Sequence, residues 1–145
     1  METALEEAQN AARIQEVPVG AVLVDEKTSN IIARSYNQSI SLNDPTAHAE
    51  IRCLRQAGLL RANYRLPGTV MIVTLEPCIM CLGALIQARV AGVVFGARDN
   101  RSGAIVSRID MGEMQWLNHK IWYIDGVLED KCSAMLKKFF HKKRT

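Results

Sequence analysis

The sequence predicts a layered α/β fold, with helices on both faces of a central sheet. Short, nearly continuous apolar runs of the kind found in buried strands alternate with segments of helical periodicity. Strands that alternate with helices in this way pack as a sheet between helical layers. Of the 145 residues 48% are hydrophobic and 23% are charged, so we expect one globular domain over residues 1–145.

The first part of the chain predicts one helix and two strands. Apolar residues recur at helical spacing over residues 2–15. Residues 17–24 form an almost unbroken apolar run, which predicts a strand covered on both faces, with Pro18 tolerated near its start. The polar residues 25–30 predict a turn, and residues 31–36 predict a second strand antiparallel to the first.

A polar loop at residues 37–44 leads into a second predicted helix. Asp44-Pro45-Thr46 is typical of a helix start, and either Asp44 or Thr46 can serve as the N-cap. Gly58 is typical of a position just after a helix, so we expect this helix to end there.

The second half of the chain predicts three further strands and two helices. Pro67-Gly68 turns the chain into a buried central strand at residues 69–75, and Pro77 suits the first turn of the next helix. The remaining expected elements are that helix at residues 78–89, a strand at 91–97, a polar loop at 98–103, a last strand at 120–124 and a closing helix at 128–141. Residues 104–118 are ambiguous.

The thiols and the N-terminus bear on the cellular compartment. The four cysteines are unevenly spaced, and the acidic N-terminus lacks the apolar core of a secretory signal. Metal binding or burial therefore explains the thiols better than disulfide bonds, and a cytoplasmic location is expected. The apolar window at residues 78–97 contains Gln87 and Arg89 and is broken at Gly92, so it predicts a buried helix and strand rather than a membrane span.

Two short motifs carry the chemistry. His48-Ala49-Glu50 offers an imidazole and a carboxylate, and Pro77-Cys78-Ile79-Met80-Cys81 offers two thiols on one face of a predicted helix start. A catalytic zinc ion typically has three Cys or His ligands and one open position for water, whose pKa it lowers. His48, Cys78 and Cys81 supply three ligands, and Glu50 remains as acid and base. Together the motifs predict a hydrolytic deaminase site.

Each motif alone has a simpler explanation. A single Cys-x-x-Cys is as often a buried or redox pair, and His-x-Glu alone occurs by chance. A closed structural zinc site needs a fourth ligand, for which the candidates are Cys53, Cys132, His119 and His141. Cys53 and Cys132 fit the apolar faces of their helices, and the two histidines fit surface or hydrogen-bonded positions. The open catalytic site is therefore favoured.

Residues 137–145 form a basic segment. It contains no acid and includes Lys137, Lys138, Lys142, Lys143 and Arg144, whereas the rest of the chain has more acidic than basic residues. Such a segment can bind a polyanion such as RNA. It can also be a solvated helix end whose cations interact favourably with the helix dipole.

The zinc motifs resemble the signature of zinc-dependent nucleoside and nucleotide deaminases. A wider match resembles one branch of that superfamily, the bacterial tRNA-specific adenosine deaminases, which form inosine at the wobble position. The matching stretches are residues 16–24, 44–51, 63–66, 73–78, 93–99 and 139–140. The last two stretches are more particular to this branch than the zinc motifs are.

The resemblance implies a three-layer α/β/α cytidine-deaminase-like fold with a central mixed sheet of about five strands. It also implies a homodimer with one catalytic zinc ion per subunit. In this family pattern His48, Cys78 and Cys81 are the zinc ligands and Glu50 is the proton shuttle. Leu82 departs from the small residue that usually follows the second cysteine, so local packing is expected to differ there.

The resemblance also implies contacts with RNA. Asn37 matches an asparagine that hydrogen-bonds the flipped base, and a base in a single-stranded loop costs less to extrude than one in a duplex. The other implied contacts come from Arg98, Asp99 and Arg101 in one loop and from Phe139, Phe140 and Arg144 in the terminal segment. From the residues alone, Asn37 is an ordinary turn former and the two Phe residues fit a core.

The expected function is therefore hydrolytic deamination of adenosine to inosine at the wobble position of a tRNA anticodon loop. The runner-up is a small-molecule deaminase of guanine, cytosine or a nucleoside, which shares the zinc site but has no need of the basic segment. A hypothesis of a different class is a non-catalytic RNA-binding subunit with a structural zinc ion. Glu50 argues against it, since a structural site has no use for that carboxylate.

Overall fold

The computed structural model describes residues 1–145 and contains four helices, five strands and one turn of 3₁₀ helix. In chain order these are α1 (Glu2–Arg13), β1 (Gly20–Asp25), β2 (Ile31–Tyr36), α2 (Ala49–Arg61), β3 (Thr69–Leu75), α3 (Ile79–Gln87), β4 (Gly92–Ala97), the 3₁₀ turn (Met111–Glu113), β5 (Trp122–Ile124) and α4 (Glu129–Arg144). Every element expected from the sequence is present.

The strands form one mixed sheet in the order β2-β1-β3-β4-β5. β1 pairs antiparallel with both β2 and β3, whereas β3, β4 and β5 are parallel. The carboxyl ends of β3 and β4 therefore lie at the same edge as the start of β1 and the end of β2. The predicted α/β fold, with a mixed sheet of about five strands, is confirmed.

Two helices cover each face of the sheet. On one face the backbone of α1 meets Gly20 in β1, and the thiol of Cys132 in α4 meets Gly96 in β4. On the other face the thiol of Cys53 in α2 donates a hydrogen bond to the carbonyl of Ala21. Apolar residues of α3 join that second layer, in a buried cluster of 21 residues. None of the four helices has the length and apolarity needed to cross a membrane.

The expected start of β1 is wrong by three residues. Residues 17–19 form a tight turn in which the amide of Val19 donates to the carbonyl of Val17, and ladder pairing begins only at Gly20. Pro18 lies inside this turn and has no amide hydrogen to give to a ladder. Here the backbone chemistry of one proline overrides a continuous apolar run.

The expected bounds of α2 are wrong at both ends. Asp44 accepts hydrogen bonds from the amide and hydroxyl of Thr46, so these residues form a separate turn and the helix begins at Ala49. The helix also continues past Gly58 and ends at Arg61, because Ala62 adopts the left-handed conformation at φ 50° that glycine was expected to provide.

The ambiguous segment at residues 104–118 is mostly irregular. Ala104 and Ile105 are fully buried, and the 3₁₀ turn begins where the carboxylate of Asp110 accepts the amide hydrogen of Gly112. At the other end of the chain, α4 extends to Arg144, so nearly all of the basic segment is helical.

We predict that Gly20→Ala lowers the free energy of unfolding by about 1–3 kcal/mol. A Cβ atom at Gly20 would lie 2.0 Å from the carbonyl oxygen of Ala4 and 2.4 Å from the amide nitrogen of Ala8, so α1 would have to shift. Urea unfolding followed by circular dichroism measures the change. Gly83→Ala in α3 is the control, because apart from its chain neighbours and the backbone of its own helix no atom lies within 4 Å of the added carbon. Equal stability of the two variants would contradict this close packing.

Candidate active site

The site is built where α2 and α3 begin. His48 is the N-cap residue of α2, and Cys78 is the N-cap residue of α3. Both have extended backbones, and neither side chain forms a hydrogen bond that caps its own helix. Cys81 lies one turn into α3 and is fully buried. Two helix starts thus bring three donor groups together without either helix using them as caps.

The distances within this cluster fit a metal ion. Nδ1 of His48 lies 3.7 Å from Sγ of Cys78 and 3.5 Å from Sγ of Cys81. All three ligand atoms lie within 4.8 Å of one another. Zn–N and Zn–S bonds at tetrahedral angles require N···S distances of roughly 3.5 Å. The donor set therefore fits zinc.

No fourth protein ligand joins the three. Cys53 donates its thiol hydrogen to a carbonyl in β1, and Cys132 is buried against β4. Nε2 of His119 lies 2.7 Å from the carbonyl oxygen of Val90, and His141 is exposed near the end of α4. The cluster of His48, Cys78 and Cys81 is therefore open, as a catalytic zinc site requires.

Glu50 is a buried carboxylate with one oxygen that lacks a hydrogen-bond partner. It is only 3% exposed, and its Oε2 atom has no hydrogen-bond partner. Burial raises the pKa of Glu50 to about 7. Glu50 lies two residues after His48, and on a regular helix two such side chains would point to different faces. They can share a site here because His48 precedes α2 and has an extended backbone. An unpaired buried oxygen beside a metal-type cluster indicates a place for a ligand that brings a proton.

The two thiols have different proton affinities. Hydrogen bonds from Cys81 and His48 lower the pKa of Cys78 to about 4, although burial opposes this. The hydrogen bond to Cys78, together with burial, raises the pKa of Cys81. The hydrogen bond with Cys78 also raises the pKa of His48. Cys78 therefore ionises more readily than an ordinary thiol, and its position at the start of α3 adds to this because free amides and the helix dipole favour a thiolate.

Asn37 caps the start of α2. Its Oδ1 atom accepts a hydrogen bond of 2.8 Å from the amide of Ala49, the residue between His48 and Glu50. Asn37 therefore does the capping that the sequence assigned to Asp44 or Thr46. Because Oδ1 is engaged, the side-chain NH₂ group is the part of Asn37 left to bind another molecule.

Glu76 is a functional residue that the sequence interpretation missed. Its carboxylate accepts hydrogen bonds from the amides of Asp99, Ile105, Val106 and Ser107 and from the hydroxyl of Ser107. Burial opposes ionisation, but the hydrogen bonds from Ser107 and from these amides lower the pKa of Glu76. The only sequence signal was an acid two residues before Cys78, and its partners lie too far along the chain to be inferred.

The loop after β4 is held mainly by its own hydrogen bonds. The carboxylate of Asp99 accepts from the amides of Arg101 and Ser102 and, at 2.7 Å, from the hydroxyl of Ser102. Nε and Nη2 of Arg98 both lie 2.8 Å from Oδ2 of Asp125. Among the residues expected to contact RNA in this loop, Arg101 presents a charge that is free of any ion pair.

The expected aromatic contacts lie in α4. Phe139 is 9% exposed and Phe140 is 41% exposed, and their rings meet edge to face at 5.4 Å between centroids. Nζ of Lys143 lies 4.8 Å from the centroid of the Phe139 ring. Phe139 therefore packs in the protein, whereas Phe140 and the exposed Arg144 are available at the surface.

The sequence matches a protein-family model and curated relatives. Residues 1–97 match the cytidine and deoxycytidylate deaminase zinc-binding region. The chain is 47% identical over 144 residues to the tRNA-specific adenosine deaminase of Haemophilus influenzae, and the match covers 99% of this chain and 83% of that protein.

Solved structures match the fold. One comes from a study of A-to-I editing by tRNA:A34 deaminases at the wobble position of transfer RNA, with a TM-score of 0.90 and 41% identity over 94% of this chain and 97% of that one. The guanine deaminase of Nitrosomonas europaea has a TM-score of 0.83 and 23% identity over 95% of this chain and 81% of its own, so that similarity concerns the fold.

We predict that Glu76→Gln lowers the free energy of unfolding by about 2 kcal/mol or more. The amide NH₂ of Gln would face backbone donors and leave some of them buried without an acceptor. Urea unfolding measures the loss, and limited proteolysis is expected to cut first within residues 98–107. The matched control is Glu113→Gln, since Glu113 is exposed and its side chain makes no hydrogen bond. Wild-type stability and protease resistance in Glu76→Gln would refute the anchoring role.

Proposed function

The chain belongs to the zinc-dependent cytidine and deoxycytidylate deaminases and, among them, to the tRNA-specific adenosine deaminases, and we propose that it makes inosine from adenosine at the wobble position of a tRNA anticodon loop. The observation that carries this proposal is an open His/Cys/Cys cluster next to a buried carboxylate, one oxygen of which has no hydrogen-bond partner. The cofactor is one zinc ion per subunit.

The reaction replaces the amino group at C6 of adenine with the oxygen of water and releases ammonia. When bound by His48, Cys78 and Cys81, zinc supplies a Lewis acid that acidifies the attacking water. Oε2 of Glu50 takes one proton from that water and delivers it to a ring nitrogen of adenine while the water oxygen bonds to C6. Glu50 then takes the second proton from the hydroxyl group at C6 and gives it to the departing amine, which leaves as ammonia. Its unpaired, buried position suits this transfer because no other hydrogen bond competes for the oxygen.

Asn37 orients the base. Since its Oδ1 atom is held by the amide of Ala49, its NH₂ group donates to an acceptor on the purine edge. The same hydrogen bond fixes Asn37 relative to His48 and Glu50, which flank Ala49 in the chain. The base and the proton shuttle are thereby positioned by one short segment of backbone.

Contacts outside the target base come from two surfaces. Asp99 shapes the loop after β4, so that Arg98 and Arg101 contact the nucleotides that flank the target. Phe140 and Arg144 contact the RNA from the end of α4, and Phe139 supports Phe140 through their edge-to-face contact. Free base and nucleoside substrates have no use for these surfaces.

The functional unit is a homodimer. An apolar groove between α2 and α3 is lined by residues that include Leu54, Leu59 and Tyr64. Leu59 is 85% exposed and Tyr64 is 68% exposed, which is unusual for large apolar side chains on a free surface. A second copy of the chain would cover this surface and bury both side chains.

Conversion of a wobble adenosine to inosine in an anticodon stem-loop RNA is the expected result of incubation with the zinc-loaded protein. Digestion to nucleosides and mass spectrometry measure the inosine. The control RNA has the same stem and loop with guanosine at the wobble position, and it should remain unchanged. Deamination of free guanine or cytosine, with no change in the stem-loop, would instead identify a small-molecule deaminase.

We predict that Glu50→Gln slows inosine formation by at least about a hundredfold. Gln keeps the size of the side chain but cannot accept the proton, so zinc content per subunit should stay at the wild-type level. Glu26→Gln in the exposed turn after β1 removes the same charge away from the site and should leave the rate unchanged. Full activity in Glu50→Gln would mean that another group moves the proton.

A further inference from the structure

The peptide unit that joins Tyr36 to Asn37 is held on both of its sides. Its N–H group donates a hydrogen bond of 3.1 Å to the carbonyl of Val19, in the turn before β1. Its carbonyl group accepts a hydrogen bond of 2.9 Å from Nη1 of Arg52 in α2. Because a trans peptide unit is planar and its two polar groups point in opposite directions, these two bonds fix the plane from which Asn37 projects.

Arg52 takes the place of a strand that is missing at this edge of the sheet. β2 is the outermost strand, and β1 is its only neighbouring strand, so the carbonyl of Tyr36 has no strand partner on its outer side. One turn further along α2, Oε1 of Gln56 accepts the amide hydrogen of Arg34 at the same edge. Two side chains on one face of α2 thus satisfy the open edge of β2, and the guanidinium of Arg52 does so next to Asn37.

The guanidinium group of Arg52 is engaged with Tyr36 in a second way. Its Cζ atom lies 5.5 Å from the centroid of the Tyr36 ring, within the range of a cation–π interaction. Arg52 is half-buried, and it forms no ion pair with a carboxylate. The ring and the carbonyl of one tyrosine therefore hold the cation between them, and no acidic side chain competes for it.

The backbone of Arg52 belongs to the helical turn that carries the site. Its amide donates a hydrogen bond of 3.0 Å to the carbonyl of His48 in the first turn of α2. Asn37 is attached to the same turn, because its Oδ1 atom accepts the amide hydrogen of Ala49. The first turn of α2 therefore holds the segment of Tyr36 and Asn37 at two points, with the backbone of Ala49 and with the side chain of Arg52.

We propose that Arg52 is a positioning residue for the target base, which it orients through Asn37. This inference rests on the proposed function, in which the NH₂ group of Asn37 donates a hydrogen bond to the purine edge. The hydrogen bond at Oδ1 alone leaves the backbone of Asn37 able to shift, and the peptide carbonyl held by Arg52 removes that freedom. A displacement of about 1 Å at the reacting atoms can slow a reaction roughly a hundredfold, so a fixed backbone at Asn37 matters for the rate.

Arg52→Met tests this role. Methionine keeps an unbranched side chain and a high helix propensity, but it removes the hydrogen-bond donor and the charge. The control is Arg61→Met at the other end of α2, where the arginine contacts Asp25 at the end of β1. For the wild type and both variants, kcat and KM for inosine formation in an anticodon stem-loop RNA are measured, together with zinc content and the Kd for that RNA at several salt concentrations.

Arg52→Met is expected to lower kcat roughly tenfold or more, because the base is bound but is no longer held in the reactive geometry. KM and Kd should change by less than about twofold, because contacts to the RNA backbone supply most of the affinity. Zinc content should stay at the wild-type level, and Arg61→Met should behave as the wild type. Arg52→Lys keeps a cationic donor without the planar fork and should lose less of kcat, and it serves for the same comparison if the methionine variant does not fold.

A double-mutant cycle separates positioning from plain stabilisation of the fold. Asn37→Asp keeps an oxygen that accepts the amide hydrogen of Ala49, but it has no NH₂ group for the base. Because Arg52 acts by orienting that NH₂ group, Arg52→Met should cause little further loss of kcat in the Asn37→Asp background. A purely structural contribution of Arg52 would instead lower kcat by the same factor in both backgrounds.

Three outcomes would overturn the inference. The first is a wild-type kcat in the Arg52 variants, and the second is an equal loss of kcat in the Asn37→Asp background. The third is a weaker Kd with a shallower dependence on salt, which would make Arg52 a phosphate ligand. Failure of the proposed function appears separately, as wild-type protein that binds the stem-loop but forms no inosine.

Discussion

The carboxylate of Glu76 is the interaction on which the order of the site depends. It lies between the end of β3 and the start of α3, and it accepts the amide hydrogens of a segment that arrives from β4. Those amides belong to irregular backbone and would otherwise be buried without partners, which is costly. The ionised carboxylate of Glu76 thus fixes this loop relative to Cys78. An isolated antiparallel β-bridge between the backbones of Cys78 and Gly103 holds the same loop.

The metal-type cluster is possible because two helices begin at the same edge of the sheet. A residue at an N-cap position normally uses its side chain to satisfy free amides of the first turn. His48 and Cys78 do not, so their donor atoms remain available. At α2 the missing cap comes from Asn37, whose Oδ1 atom accepts the amide hydrogen of Ala49. If Asn37 also orients the base, as we propose, capping and substrate orientation are coupled through one side-chain amide group.

Local hydrophobic patterns predicted the helices and strands, and the types of residue in the two motifs predicted the cluster of metal-binding side chains. The apolar runs of β3 and β4 are buried, and the types and spacing of His48, Cys78 and Cys81 indicated a zinc site before their distances were known. The bounds of α2 and the role of Glu76 could not be predicted, because they depend on partners that folding brings close. The amides that Glu76 binds lie 23 to 31 residues away in the chain, and the helix and strand periodicities of a sequence do not predict contacts over such separations.

The sheet separates two pairs of helices, and this has a consequence for how such an enzyme can diversify. The donors of the candidate metal centre and Glu50 lie on or just before α2 and α3, whereas α1 and α4 lie on the other face of the sheet. Surface substitutions on α1 and α4 reach no donor atom, so mutations can accumulate there while the chemistry is conserved. Descendants of one ancestral catalyst can therefore change the surface formed by α1 and α4 while they keep the same reaction.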